Sequence, residues 1–584
     1  MTRRRERSGT EVRIAIGGPA GYGIKASGQT LSRAMAAAGL DTFDLTEYPS
    51  LIRGGHNYYH LRAGAGPLFS HVLDVDVLVA LDEQTPALHA DRLTKGAAVI
   101  FDPSVVDPAS LPAGCRPVAV ELESIAKQAG NPLMRNTAAN GSVAAVVGLD
   151  LRFLEDAIRA QFKDKPVEVA DANIETLRAG YEAALGSGVS LDRRLPFEER
   201  EARILIDGNS AVGIGALAAG IGLYAAYPMT PASSLLHFMA ANEREHGVIV
   251  KHVEDELAAM NMVVGAAFTG ARAMCGTSGG GFALMTEALG LAGVTESAVV
   301  VMVSQRPGPA TGMPTWTEQA DLRTVLHAGQ GEFPRVVLAP GDHTDCFELT
   351  WRAFNLADAL QTPVIILLDN YLSENRATVE PFDTDAVTVD RGDIIVDGEV
   401  SDYLRYKVTP SGISPRAVAG VKGALQVVNS YDHDAYGFAT EDALTRRAQD
   451  EKRMRKEELA RTLVPGPWTE GDDEADVHVV CWGSTKMPVR EAASRLSAEG
   501  VRVRLLHART VWPFPAQAIT EFFAQARHCG APVACVEGNQ TGQFEGLIRQ
   551  ECLLAPDHHL RRYDGRPLDP DEVAAFLREV ARDA

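Results

Sequence analysis

The fold is decided by three blocks between Tyr224 and Gly281: YAAYPMTPASS (224–234), KHVEDELAAMNMVVGAAFTG (251–270) and ARAMCGTSGGG (271–281). In the first, Pro228 and Pro231 bracket Thr230, and Ser233 and Ser234 precede the apolar run LLHFMAA. That pattern predicts a turn entering a helix, with serine hydroxyls capping free amides and proline fixing φ. In the second, the carboxylate of Glu256 opens a helix rich in small residues (Ala258, Ala259, Gly265, Ala266, Ala267), which another backbone can approach closely. In the third, an apolar β-like run ends in Thr277-Ser278-Gly279-Gly280-Gly281, a glycine-rich strand-to-helix turn whose amides can face an anion or a cofactor edge. Spacing alone leaves open that these are three ordinary turns of an open α/β sheet.

Around this stretch the chain repeats one rhythm. AVVVMVSQ (298–305), RVVLAP (335–340) and PVIILLDN (363–370) are continuous apolar runs between helical stretches, the pattern of parallel strands covered on both faces. Upstream, EVRIAIGG (11–18) leads through GGPAGYG into a helix and then LDTFDLTEYP, an order that suggests a dinucleotide fold with Asp44 near the place of a ribose-binding acid. The glycines Gly17, Gly18, Gly21 and Gly23 do not fall as GxGxxG, however. Arg53-Gly54-Gly55 reads as a basic loop at a strand end, either a solvated turn or a seat for an anionic ligand. The strands VHVVCWG (477–483), VRVRLLHA (501–508) and PVACVEG (532–538) form a last α/β region. The expected organisation is a basic tail (1–10), an α/β domain (11–188), a polar linker (189–203) and a second α/β domain (204–378). An extended loop with a charged, solvated helix (379–471) and a C-terminal α/β domain (472–584) complete it.

At 584 residues the chain exceeds one core, so a multidomain α/β protein built on open parallel sheets is expected. A net charge of −21 argues against nucleic acid and anionic membrane surfaces as partners. No apolar run approaches the roughly 20 residues needed to span a bilayer, and MTRRRERSGTE has no apolar core of a signal peptide, so a cytoplasmic protein is expected. The seven cysteines show no CxxC, the histidines show no metal-binding spacing, and no metal site is assigned to this chain.

Taken together, YPMTP, EDE nine residues before Gly265, TSGGG and SQRPGPATGMPTWTEQADL (304–322) resemble the pyrimidine-binding domain and substrate loop of the alpha subunit of 2-oxoacid:ferredoxin oxidoreductases, which use thiamine diphosphate. The resemblance continues through GN-A-A-GA at Gly208–Ala216 and EGNQTGQ (537–543), in a region similar to the transketolase C-terminal domain. Residues 11–188, with EYPSLIRGG, are similar to the family's gamma subunit. The resemblance implies that Glu256 hydrogen-bonds the pyrimidine N1′ and favours the imino tautomer that deprotonates the thiazolium. Tyr227, Pro228, Thr277, Ser278 and Gly279 are the other expected cofactor contacts, and Thr230, Arg306 and Thr315 the expected substrate contacts. Gly18, Gly21, Gly23 and Arg53 are candidates for holding coenzyme A.

The sequence lacks the GDG…Asn signature of a magnesium–diphosphate site and a cysteine quartet. The resemblance therefore implies a beta subunit supplying Mg2+, diphosphate binding and a [4Fe-4S] cluster, in an α2β2 assembly that passes electrons to ferredoxin. The expected activity is oxidative decarboxylation of 2-oxoglutarate with coenzyme A. A pyruvate- or indolepyruvate-specific member of the family, or a non-catalytic assembly subunit, stands as the alternative.

Overall fold

The computed structural model describes residues 10–50, 55–191, 195, 197 and 203–583, which fall in two compact units. Arg53, Gly54 and most of the expected 189–203 linker lie outside the described residues.

The first unit takes the chain to Ile206 together with Asn375–Pro381 and Asp569–Asp571. It contains β1 (Glu11–Pro19), α1 (Ile24–Ala37), β2 (Asp41–Glu47), β3 (His56–Gly64), β4 (Val75–Ala80), β5 (Leu93–Phe101), β6 (Arg116–Ala119), α2 (Arg135–Val147), α3 (Val167–Leu185) and β7 (Ile204–Asp207). They build an eight-stranded sheet in the order β6-β5-β4-β1-β3-β2, then Arg376–Val379, then β7. The sheet is mixed. β1, β4, β5 and β6 run parallel, but β3 lies between β1 and β2 antiparallel to both. A strand in HNYYHLRAG was not expected, and it replaces the all-parallel order of a dinucleotide fold. Asp44 is correspondingly no ribose acid: it is buried and paired with Arg376, Nε to Oδ2 at 3.0 Å, and it accepts from the Tyr59 hydroxyl at 2.6 Å. ILIDG, expected to open the second domain, supplies an edge strand here instead.

The second unit starts at Asp207 and contains α4 (Gly208–Ala218), β8 (Leu223–Ala226), α5 (Ser233–His246), β9 (Ile249–His252), α6 (Glu256–Phe268), β10 (Ala273–Thr277), α7 (Gly279–Val294), β11 (Val299–Gln305), β12 (Val336–Leu338), α8 (His343–Leu360) and β13 (Val364–Asp369). Its seven-stranded sheet runs β12-β13-β11-β10-β8-β9, all parallel, with Thr510–Trp512 added antiparallel at the β12 edge. Every residue of β10, β11 and β13 is buried, which their unbroken apolar runs require. A five-stranded sheet from Trp468–Glu470, Val503–Ala508, Val477–Trp482, Val533–Glu537 and His558–Arg561 follows, and only its first strand is antiparallel. One apolar core joins the two sheets, including Val301, Leu367, Trp482 and Phe544.

Between them, 380–467 is irregular except for the pair Ile394–Ile395 and Arg416–Ala417 and for α9 (Ala443–Leu463). The expectation that α9 presents a solvated charged face is corrected by the structure. Lys452 and Lys456 are buried and close on the buried Glu296, at 2.6 Å to Oε1 and 2.5 Å to Oε2. Arg447–Glu451 and Arg461–Glu457 form the i,i+4 pairs of the opposite, exposed face.

Candidate active site

β8 delivers the chain into Tyr227–Pro231, and the turn is held from the side by Asn209 at the start of α4. The Asn209 amide donates to the Pro231 carbonyl at 2.8 Å and to Ser234 Oγ at 2.6 Å; Ser234 in turn donates to Glu374 at 2.7 Å. The serines therefore do not cap α5 as expected: its N-cap is Ala232, without a side-chain bond. Tyr227 is exposed and meets His252 edge-on, and Pro228 is half-buried.

Glu256 stands at the first position of α6. The preceding residue, Asp255, is the N-cap and accepts from the Ala258 amide at 2.8 Å, so the two adjacent acids have separate tasks. Glu256 is 3% exposed, and its Oε1 accepts no hydrogen bond among the described residues. Its neighbour across the site is the turn from β10 into α7. A Cβ on Gly281 would lie 2.1 Å from Thr277 Oγ1 and 2.6 Å from Glu256 Oε1, so only glycine lets carboxylate and hydroxyl converge there. Met229 of the first block touches the same point, its sulfur 3.9 Å from Thr277 Oγ1. Ser278 is the N-cap of α7, and its buried hydroxyl has no partner among the described residues.

The fourth block arrives from β11. Arg306 Nη1 donates to the Thr230 carbonyl at 2.6 Å, which brings two of the three expected substrate residues together, and its Nε has no partner among the described residues. Burial lowers the Arg306 pKa while Asp321 opposes that shift. Asp321 itself is raised to about 6 by burial, against the pull of Arg306. Thr315 is buried within the loop, which closes on itself through the Met313 amide and the Pro307 carbonyl at 3.1 Å. Gln319 pins this loop to the C-terminal sheet, donating to the Trp482 carbonyl at 3.0 Å and accepting from the Gly538 amide at 2.7 Å. The arrangement is a buried carboxylate with a free acceptor, a hydroxyl-and-glycine turn at a helix N-terminus, and a partly exposed guanidinium.

Family models place this geometry. Residues 214–453 match pyruvate flavodoxin/ferredoxin oxidoreductase, thiamine diphosphate-binding; 13–183 match pyruvate ferredoxin/flavodoxin oxidoreductase; and 475–569 match pyruvate:ferredoxin oxidoreductase core domain II. The chain is 34% identical to the 2-oxoacid:ferredoxin oxidoreductase 2 alpha subunit of Aeropyrum pernix, over 98% of both chains. It belongs to the 2-oxoacid:ferredoxin oxidoreductases, as an alpha subunit. It is also 31% identical to the 2-oxoglutarate oxidoreductase subunit KorA of Mycobacterium tuberculosis, over 79% of this chain and 70% of that one. A solved 2-oxoglutarate:ferredoxin oxidoreductase from Magnetococcus marinus, with 2-oxoglutarate, coenzyme A and succinyl-CoA bound, superposes with a TM-score of 0.89 at 30% identity. That match covers 98% of this chain and all of the other.

In this alpha subunit the residues present fit a thiamine pyrimidine, because Glu256 Oε1 is a buried acceptor without a hydrogen bond among the described residues, chemically suited to a donor such as N1′–H. In the first unit, Gly18 ends the buried part of β1, Gly21 has φ +86°, and Gly23 (φ +74°) is the N-cap of α1. Beside Gly23 a cavity of about 290 Å³ is lined by Ser27, Asn136, Thr137, Asn140 and Asn173; the Asn136 Oδ1 there is buried without a partner among the described residues. Among the described residues no group of three or more His, Cys, Asp or Glu side chains is placed to hold a metal ion, and no helix is long and apolar enough to cross a membrane. Three residues that shape the site have no role assigned from the sequence: Asn209, which enters there only as part of the GN-A-A-GA pattern, Gln319 and Asp321. All lie in blocks that carry the family resemblance, and that position was the one available signal.

Proposed function

We propose that this alpha subunit takes part in the oxidative decarboxylation of 2-oxoglutarate to its coenzyme A thioester, with ferredoxin as electron acceptor. The observation that carries the reading is Glu256, buried and with one oxygen free of hydrogen bonds, facing the Thr277–Gly281 turn. When bound, thiamine diphosphate supplies the nucleophile that decarboxylates 2-oxoacids. Glu256 would accept a hydrogen bond from N1′ and so favour the basic tautomer of the pyrimidine. Such a charge-assisted bond is worth roughly 1.5–3 kcal/mol, or one to two pK units. Thr277, Ser278 and Gly279, with Tyr227 and Pro228, are the other residues that would hold the cofactor. Arg306, steadied by the Thr230 carbonyl, meets the substrate carboxylate, and Thr315 completes that subsite.

A beta subunit, in an α2β2 assembly, supplies Mg2+, diphosphate binding and the [4Fe-4S] cluster. Support for a subunit over this site comes from α6 and α7, which are apolar nearly all round yet leave Leu257, Met262 and Leu284 exposed. The gamma-type unit holds coenzyme A near Gly18, Gly21 and Gly23, supported by the amide-lined cavity with its unpaired Asn136 oxygen; Arg53, outside the described residues, is a further candidate from the sequence. The 2-oxoglutarate preference is supported by the Magnetococcus and Mycobacterium relatives. Steady-state turnover of the co-purified complex with a panel of 2-oxoacids tests it: 2-oxoglutarate should give the highest kcat/KM, and a pyruvate or indolepyruvate maximum would move the enzyme to another branch of its family. The purified single chain should be colourless and bind thiamine diphosphate weakly. Iron–sulfur absorbance in it would overturn the division of labour.

A further inference from the structure

We propose that Asp321 is a second carboxylate of this site, a positioning residue that sets how much of the Arg306 charge is available to the 2-oxoacid. The inference rests on the reading of Arg306 as the carboxylate-binding residue. Its geometry is independent of that reading. An ideal Cβ on Gly279 would fall 2.1 Å from Asp321 Oδ2 and 2.8 Å from Oδ1, so the carboxylate lies flat against the first residue of α7. Two residues on, Gly281 abuts Glu256 in the same way. One glycine turn therefore has a carboxylate on each side, Glu256 toward the cofactor and Asp321 toward the substrate loop.

Asp321 is held there by its backbone. Its amide donates to Gln305 Oε1 at 2.9 Å, and Gln305 is in turn fixed to the Leu368 carbonyl at 3.0 Å. Gln305 is the residue before Arg306, so one strand end positions both charges. The Asp321 side chain makes no capping bond to the short helix Leu322–Leu326 that follows it, which leaves local folding without need of the charge. The charged groups around it are few. Arg306 faces it from the loop after β11, Glu318 faces it from its own loop, and Glu256 stands across the turn on α6; the Gly279–Gly281 face of α7 brings only amides. Arg323 turns away toward Gly546.

Arg306 makes no ion pair within 4 Å among the described residues, and Asp321 is the acid whose field reaches it. An ionised Asp321 offsets part of the guanidinium charge and repels an incoming carboxylate. A protonated Asp321 does neither. Burial places its titration near pH 6, within the working range of an enzyme. The 2-oxoacid KM should therefore fall as pH drops through that region, without a parallel rise in kcat.

The test is Asp321→Asn in the co-purified complex, an isosteric change that keeps the contact with Gly279. Expected is a 2-oxoacid KM roughly three- to tenfold lower at pH 7.5, flat between pH 5.5 and 7.5 where the wild type slopes, with kcat within about twofold. An unchanged or raised KM, or a retained slope, would overturn the proposal. Arg306→Lys is run alongside. If it raises KM while Asp321→Asn does nothing, only this inference fails; if it leaves KM unchanged, the assignment of Arg306 fails first.

Discussion

Two buried glutamates in the second unit make opposite use of the same side chain. Glu296, at a positive φ of 52°, is fully enclosed and matched by Lys452 and Lys456, with Arg405 adding its charge. Glu256 is almost as deeply buried, yet one oxygen has no partner among the described residues, and the guanidinium of Arg306 is turned to Thr230. A buried carboxylate that serves the fold brings its counter-charges with it, because an uncompensated one costs several kcal/mol. One that serves chemistry keeps an acceptor free for the ligand. If that distinction is right, the two residues should fail in different assays.

The largest effect is expected at Glu296. Glu296→Gln strands two lysines and an arginine in the core, and loss of one partner of a buried cluster costs about 3–5 kcal/mol. Denaturant unfolding should show a lower midpoint with little change in slope. The pH sign follows from the same contacts. Burial pushes the Glu296 pKa up, but Lys456, Lys452 and Arg405 outweigh it and hold the carboxylate well below its ordinary range. Its stabilisation is thus present above the unfolded value near 4.3 and is lost as pH falls below it. The variant should lack that share of the acid sensitivity. Catalysis per folded molecule should be nearly unchanged.

Glu256→Gln should do the reverse. It keeps shape and burial, so unfolding should move little. It removes the carboxylate charge that would face N1′, and with it a charge-assisted bond worth roughly 1.5–3 kcal/mol, so kcat should fall about ten- to a hundredfold for every 2-oxoacid. Exchange of the thiazolium C2 proton in the loaded complex reports the same loss without turnover. Wild-type exchange in the variant would remove Glu256 from its role and leave Glu254 to be tested.

The sequence separates these two glutamates only in part. Glu256 stands out through the family resemblance, because it opens a small-residue helix nine residues before Gly265 as the family's glutamate does. Glu296 gives no local sign, since its partners lie on a helix far along the chain, and the alternating charges of that helix read as a solvated face. The same contrast runs through the fold. Continuous apolar runs announce β10, β11 and β13 because burial on both faces is written into each strand by itself. β3 (HNYYHLRAG) mixes polar, aromatic and aliphatic residues without an unbroken apolar run, and its antiparallel place between β1 and β2 is set by pairing. The contact of Asp321 with Gly279 and the pairing of Arg376–Val379 with β2 are likewise tertiary facts with no local periodicity to betray them.

A third variant sharpens the functional side. Arg306→Lys keeps a cation but loses the planar fork that can serve Thr230 and a carboxylate together. Loss of one charge-assisted contact corresponds to about tenfold in the 2-oxoacid KM, at roughly 1.4 kcal/mol. The KM for coenzyme A should stay constant. A fall confined to kcat would place Arg306 nearer the reacting bond than the carboxylate.

The smallest effect is the strictest check, because it concerns the residue next to Glu256. Asp255 is an acid in the same EDE triplet, but its side chain is spent on the Ala258 amide, 2.8 Å away, as the N-cap of α6. Removing an N-cap costs about 1 kcal/mol of stability, and α6 is anchored besides by buried Met260, Val263 and Val264. Asp255→Ala should therefore lower the unfolding free energy by about that amount while kcat falls less than threefold, through slight loosening of the first turn. Asp255→Asn, which retains a capping oxygen, should recover most of the stability. If Asp255→Ala instead matched Glu256→Gln in kcat and in C2-proton exchange, the carboxylate that matters would be shared between the two positions, and the contrast between a fold-serving and a ligand-serving acid would not hold within this triplet.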